Sequence, residues 1–144
     1  MNDDPSKPAV DLSDRQDLAV DARSLIDLAQ RTLEAEGAAG VELSISLVDE
    51  GEMAGLHQRY LGTPGPTDVL SFPLEDEFRD GERRLLGDVV ICPAVAARQN
   101  PNLDAELRLL VVHGVLHLLG YDHEEDADRE QMWARQERYS GVAM

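Results

Sequence analysis

The sequence predicts an α+β fold, and three observations carry that prediction. Val41, Leu43, Ile45 and Leu47 alternate with Glu42, Ser44 and Ser46, the period of a half-buried strand. Leu18, Ala22, Leu25, Ala29 and Leu33 recur at helical spacing. Between Leu103 and Leu119 the apolar positions nearly encircle a helix, which marks a buried central element. Strands and helices are mixed without regular alternation. The 144 residues suit one domain spanning 1–144, long enough to bury a sizeable core.

The elements follow in order. Residues 1 to about 8 are expected to fray, with "AVDL" at 9–12 able to add a short edge strand. "SDRQ" at 13–16 reads as a capping box, Ser13 capping and Gln16 reaching back, for a helix that Gly37 stops. The strand from Val41 comes next. Asp49 with Glu52 then opens a helix over roughly Glu50 to Tyr60, and "GTPGP" at 62–66 ends it. "DVLSFP" and "LLGDVVIC" read as two strands joined by the charged loop 75–84. Pro93 suits the first residue of a short helix. Asn100-Pro101-Asn102 is a capping and first-turn signature for the central helix, which runs to about Leu119. Glu124, Glu125 and Asp126 suit the positive end of a last helix, about Asp126 to Tyr139. Met132 and Trp133 are expected to dock that helix on the core.

Composition narrows the function. With 42% hydrophobic residues the chain is not of the disordered class. No apolar run is long enough to cross a bilayer, and "MNDDPSKPAV" lacks the basic-then-apolar layout of a secretory signal. The single cysteine, Cys92, excludes an internal disulfide, so a cytoplasmic location is expected and no membrane partner. A formal charge of −16, from 29 acidic against 13 basic residues, argues against broad nonspecific binding to nucleic acid. It permits a local site, because a dication and a few arginines dominate the field within a Debye length of about 8 Å.

"HGVLHLLGYDH", residues 113–123, holds three of the four histidines. His113 and His117 are four apart on a helix and project from one face. Gly120 falls where the helix should end in a left-handed turn, after which His123 can swing back toward the same ion. Three imidazoles with an open fourth position describe a catalytic zinc site holding one Zn2+, and His113, His117 and His123 are its expected ligands and catalytic residues. The spacing equals that of metzincin peptidases, whose general base follows the first histidine. Gly114 stands at that place and cannot move a proton, so hydrolysis of something other than peptide is favoured. Asp122 and Glu124 lie near enough in sequence to assist a water or orient an imidazole, although capping the last helix is the simpler account.

The run resembles the signature of the YbeY endoribonucleases, the ribosomal RNA maturation factors. "GPTDVLSFP" at 65–73 and "LGDVVIC" at 86–92 resemble two further family segments in the family's order, and the similarity extends from about Val41 to Glu137. The resemblance implies a zincin-like architecture, a small mixed sheet packed with helices, the central one carrying the metal ligands. It implies an endonuclease for single-stranded ribosomal RNA, acting in 16S 3′-end maturation and ribosome quality control. The implied partners are that RNA and the small ribosomal subunit or its proteins, with no DNA.

One departure matters. Many members carry an arginine just before the glycine that leads toward T-D-V-L-S-F-P, and this chain has Leu61 there. Arg59, two residues earlier, is rotated by about 200° on a helix and does not stand in on the same face if the helix persists. Arg59, Ser71 and Asp122 are the further candidates for contacting substrate or supporting the ligands. Thr67 and Asp68 are expected to pin the chain after the "GTPGP" turn. "LGDVVIC" could form a sheet edge along which substrate lies, with Asp88 a register or surface residue. Arg79, Arg83 and Arg84 form a basic cluster that neighbouring acids neutralise, and His57 is an ordinary helix histidine. Two other readings stay open: a zinc peptidase, which Gly114 disfavours, and a noncatalytic, zinc-stabilised ribosome assembly factor, which the acidic surface and Leu61 favour.

Overall fold

The computed structural model describes residues 7–38, 40–74, 84–121 and 125–142. Among them the chain forms β1 (Ala9–Arg15), α1 (Ala22–Ala35), β2 (Val41–Val48), α2 (Glu50–Leu61), β3 (Val69–Pro73), β4 (Arg84–Ile91), α3 (Pro93–Gln99), α4 (Leu103–Leu118) and α5 (Asp126–Ser140). The sheet order is β1-β2-β4-β3. β1 and β4 run parallel to β2, and β3 runs antiparallel to β4. The architecture is α+β with a mixed sheet, as expected. No helix among the described residues is long and apolar enough to cross a membrane.

Alternation along β2 sends Leu43, Ile45 and Leu47 into a core shared with Leu25, Ala29 and Leu33 of α1 and Leu107, Val111 and Val115 of α4. The opposite sheet face carries a smaller cluster of Val48, Met53, Leu70, Val90 and Cys92. α4 is buried on two sides, because Val112 and Leu116 meet Leu28 of α1 and Met132 of α5 behind it. Its all-round hydrophobicity therefore has the predicted cause.

Four expectations need correction. β1 runs beyond the expected 9–12 to Arg15, which pairs with Val48. That pairing takes Ser13 into the strand, where its hydroxyl accepts from Arg15 and caps nothing. Asp21 caps α1 instead, accepting from the Ser24 N–H at 3.2 Å, and Leu18 lies exposed ahead of the helix. At α4 the cap is Asn102, accepting from the Ala105 N–H at 3.1 Å; Asn100 is extended, as a residue before proline tends to be. "LGDVVIC" is no edge: β4 lies between β2 and β3, with Val89 and Ile91 in one core and Val90 and Cys92 in the other. Burial on both faces explains its unbroken apolar run, and the edge strand on that side of the sheet is β3. Met132 docks α5, but Trp133 is 44% exposed, with the Arg129 guanidinium 5.7 Å from its ring centre.

Candidate active-site cleft

α4 delivers His113 and His117 half-buried to one cleft of about 340 Å³, their ring centres 4.5 Å apart and their planes 76° to each other. Its other walls come from Leu61 at the end of α2, Val69, Ser71 and Pro73 of edge strand β3, and Leu118. The helix closes as the sequence predicted. The Gly120 N–H donates to the His117 carbonyl and the Tyr121 N–H to the Leu116 carbonyl, both at 3.0 Å, with Gly120 at φ +101°. This paired arrangement ends the helix at Leu118, with Leu119 as its C-cap, and turns the chain at Gly120. His123, Asp122 and Glu124 lie outside the described residues.

Gly114 has a steric reason to be glycine. A Cβ there would sit 2.6 Å and 3.0 Å from the two Val89 methyls and 3.3 Å from the Ser71 hydroxyl. α4 thus packs its backbone directly on β4 and β3, and the Ser71 hydroxyl donates to the Gly114 carbonyl at 3.4 Å. A glutamate at this position has no space to occupy. Ser71 therefore lies on the cleft wall and helps tie the edge strand to the histidine-bearing helix.

One participant escaped the sequence reading. Gln136 of α5 is only 2% exposed, and its Oε1 lies 2.5 Å from His113 Nδ1. Met132, Gln136 and Ser140 are spaced four apart and all buried, so this glutamine occupies the inward stripe of its helix. A polar residue on such a stripe requires a partner, which was the available signal.

Around the corner, Glu36 at the end of α1 joins three helices. It accepts hydrogen bonds from Tyr121 (2.5 Å), Tyr139 and Arg135 (3.2 Å), and Arg135 also lies 4.8 Å from the Tyr121 ring centre. Burial pushes the Glu36 carboxyl upward in pKa, but the hydroxyls of Tyr121 and Tyr139 and the Arg135 charge outweigh it and hold the group below its usual range. Tyr121 is raised chiefly by its bond to Glu36, Tyr139 chiefly by burial. Because the folded pKa is depressed, the stabilisation is complete above the unfolded value of about 4.3 and is lost as pH falls through the folded one. The Glu36 side chain is 10% exposed. Glu36→Gln should therefore cost about 2 kcal/mol in urea unfolding at pH 7, with the gap to wild type closing as pH falls below about 4.3.

The remaining candidates divide cleanly. α2 stays helical through Leu61, so Arg59 points elsewhere and is exposed, its guanidinium 6.0 Å from the Tyr60 ring centre. Leu61, 62% exposed, is the residue that meets the cleft. Asp68 is structural as expected: its carboxylate accepts from the Val69 N–H at 2.7 Å and its carbonyl from the Cys92 N–H at 2.9 Å. His57 does more than expected, with Nδ1 2.8 Å from the Gly65 carbonyl of the turn. Asp88 sits opposite Phe72 in the β3–β4 register. Arg79 and Arg83 lie outside the described residues, and Arg84 is exposed at the start of β4.

Among the described residues no three His, Cys, Asp or Glu side chains assemble for a metal. The donors present nevertheless suit zinc: two adjacent imidazoles, one of them held at Nδ1 by a buried amide, open onto a cleft.

Comparison with known proteins follows the fold closely. The family model described as endoribonuclease YbeY matches residues 9–141. A relative from Acidothermus cellulolyticus, itself named endoribonuclease YbeY, is 51% identical over 137 residues, covering 84% of this chain and 83% of that one. One of the same name from Thermobifida fusca is 45% identical, covering 89% of each chain. A Thermotoga maritima protein solved in solution superposes with a TM-score of 0.58 at 32% identity, covering 92% of this chain and 86% of that one. The family match begins at the first residue of β1 and ends just past the last of α5, and the chain belongs to the YbeY family.

Proposed function

We propose that this chain is a zinc-dependent endonuclease for single-stranded RNA, acting in the cytoplasm in 16S 3′-end maturation and ribosome quality control. Ribosomal RNA and the small ribosomal subunit or its proteins are its partners in this reading. The observation that carries it is the pair of imidazoles, His113 and His117, side by side at an open cleft in a chain whose relatives are named endoribonucleases. His113 and His117, joined by His123, would hold one Zn2+. When bound, zinc supplies Lewis acidity at a phosphoryl oxygen and makes a water more acidic. Leu61, Val69 and Pro73 line the cleft with apolar surface, and the Ser71 hydroxyl offers a polar group beside it. Gly114 removes the peptidase's base from the site, which leaves the chemistry to groups other than a protein carboxylate at that position. The arrangement is read as zincin-like: a ligand-bearing helix behind a mixed sheet whose antiparallel edge strand flanks the cleft.

Single-strand preference has support in Tyr60 and Phe72. Tyr60 is 57% exposed beside Leu61, and its ring meets Phe72 edge-on at 5.0 Å. Unpaired bases of any identity stack on such rings, because every base has a π-face.

The direct test is cleavage of single-stranded RNA by purified protein, with metal content measured alongside. Cleavage should vanish on chelation and return with zinc; undiminished cleavage by metal-free protein would defeat the reading. Leu61 keeps the noncatalytic assembly factor as a second reading, because an apolar side chain meets the cleft where the family resemblance implies a cation. Leu61→Arg is expected to raise the cleavage rate by about tenfold or more, since a cation beside the scissile phosphate stabilises developing charge. Zinc-loaded protein that binds the small subunit yet leaves RNA intact, with or without that arginine, would favour the assembly role.

A further inference from the structure

We propose that Gln136 is a positioning residue that sets the tautomer of His113 and so presents its Nε2 to the cation. The inference rests on the zinc reading above and concerns how this chain prepares one ligand. A neutral imidazole carries one N–H and one lone pair, and only the nitrogen with the lone pair can coordinate. With Gln136 Oε1 2.5 Å from Nδ1, the amide oxygen accepts the Nδ1 proton and leaves the lone pair on Nε2. The opposite amide orientation would offer an N–H to Nδ1 and place the ring proton on Nε2, which would block coordination there.

The surroundings hold the glutamine in place. It lies between Met132 and Ser140 on the buried stripe of α5, and the Ser140 hydroxyl donates to the Gln136 backbone carbonyl at 2.5 Å. α5 packs against α4 through Met132, Val112 and Leu116, so the two helices carry acceptor and ligand as one packed unit. A buried side-chain amide is costly without a partner, and here the ligand itself is a partner.

The choice of amide over carboxylate has an electrostatic consequence. A carboxylate behind a ligating imidazole raises its basicity and adds negative charge to the centre. A neutral amide orients the ring equally well and leaves the dication's charge undiminished. In a chain of net charge −16, that preserves the local attraction an anionic phosphodiester needs.

The experiment compares wild type, Gln136→Leu and Gln136→Glu, with zinc affinity measured by chelator competition and folding checked by thermal unfolding. In zinc-free wild type, ring 15N shifts should show the neutral His113 protonated at Nδ1. Gln136→Leu should weaken zinc binding by about 10- to 100-fold and lose that tautomer preference. Gln136→Glu restores an acceptor and should bind zinc at least as tightly as wild type. A leucine variant with wild-type affinity, a wild-type ring protonated at Nε2, or a folded glutamate variant with weakened binding would each overturn the proposal. If the leucine variant fails to fold, the tautomer and the glutamate variant still decide it. Wild type that binds no zinc would instead overturn the metal reading, while the zinc-free tautomer continues to judge the part assigned to Gln136.

Discussion

His117→Ala should abolish zinc uptake and RNA cleavage together. The loss of rate should exceed the roughly 10²- to 10³-fold that removal of a single oxyanion donor costs, because the variant would lose the proposed cation and not one contact to substrate. His117 is half-buried and lines the cleft, so its truncation opens space already facing solvent and should leave the fold intact. Unfolding midpoints close to wild type, with metal content near zero, would separate loss of the ion from loss of structure. A variant that still cleaves at the wild-type rate, or that retains stoichiometric zinc, would remove His117 from the site.

Substitution of Gly114 should be felt in the fold before it is felt in the chemistry. Alanine is the better helix former by about 1 kcal/mol, which on an exposed helix would stabilise. Here the new methyl meets Val89 Cγ1 at 2.6 Å. Val89 is β-branched and fully buried on a strand paired on both sides, so it has no room to yield. Overpacking of this kind costs about 1–3 kcal/mol, and urea unfolding of Gly114→Ala should show a net loss of that size. Gly114→Glu must also bury a carboxylate against the same methyls and should not accumulate as folded protein. Val89→Ala in the Gly114→Ala background should recover part of the loss, the mark of a steric clash between those two positions. A stable Gly114→Glu variant with peptidase activity would revive the peptidase reading.

Local rules read much of this chain correctly. The alternation of Val41 to Leu47 emerged as β2, Asp49 caps α2 with the Glu52 N–H, Pro93 opens α3, and Gly120 closes α4. Each depends on residues within one or two turns of each other, which is why the order along the chain suffices. The same holds for His113 and His117, whose shared face follows from helical geometry. The capping box at Ser13 failed because its strand-pairing partner, Ser46, lies 33 residues away and overrode the local signal. Gln136 and Glu36 escaped notice for a related reason: their partners stand 23 residues away on α4, and 85, 99 and 103 residues away in Tyr121, Arg135 and Tyr139.

The chain's order of side chains thus settled the type and sequence of most helices and strands, which helix is buried, and that two imidazoles share a face. Strand order, the contact of Gly114 with Val89, the cleft wall formed by β3 and Leu61, and the pairing of Gln136 with His113 came from packing. Helical and strand periods are set by backbone geometry within a few residues. Contacts between elements depend on how hydrophobic faces exclude water together, which no single segment encodes.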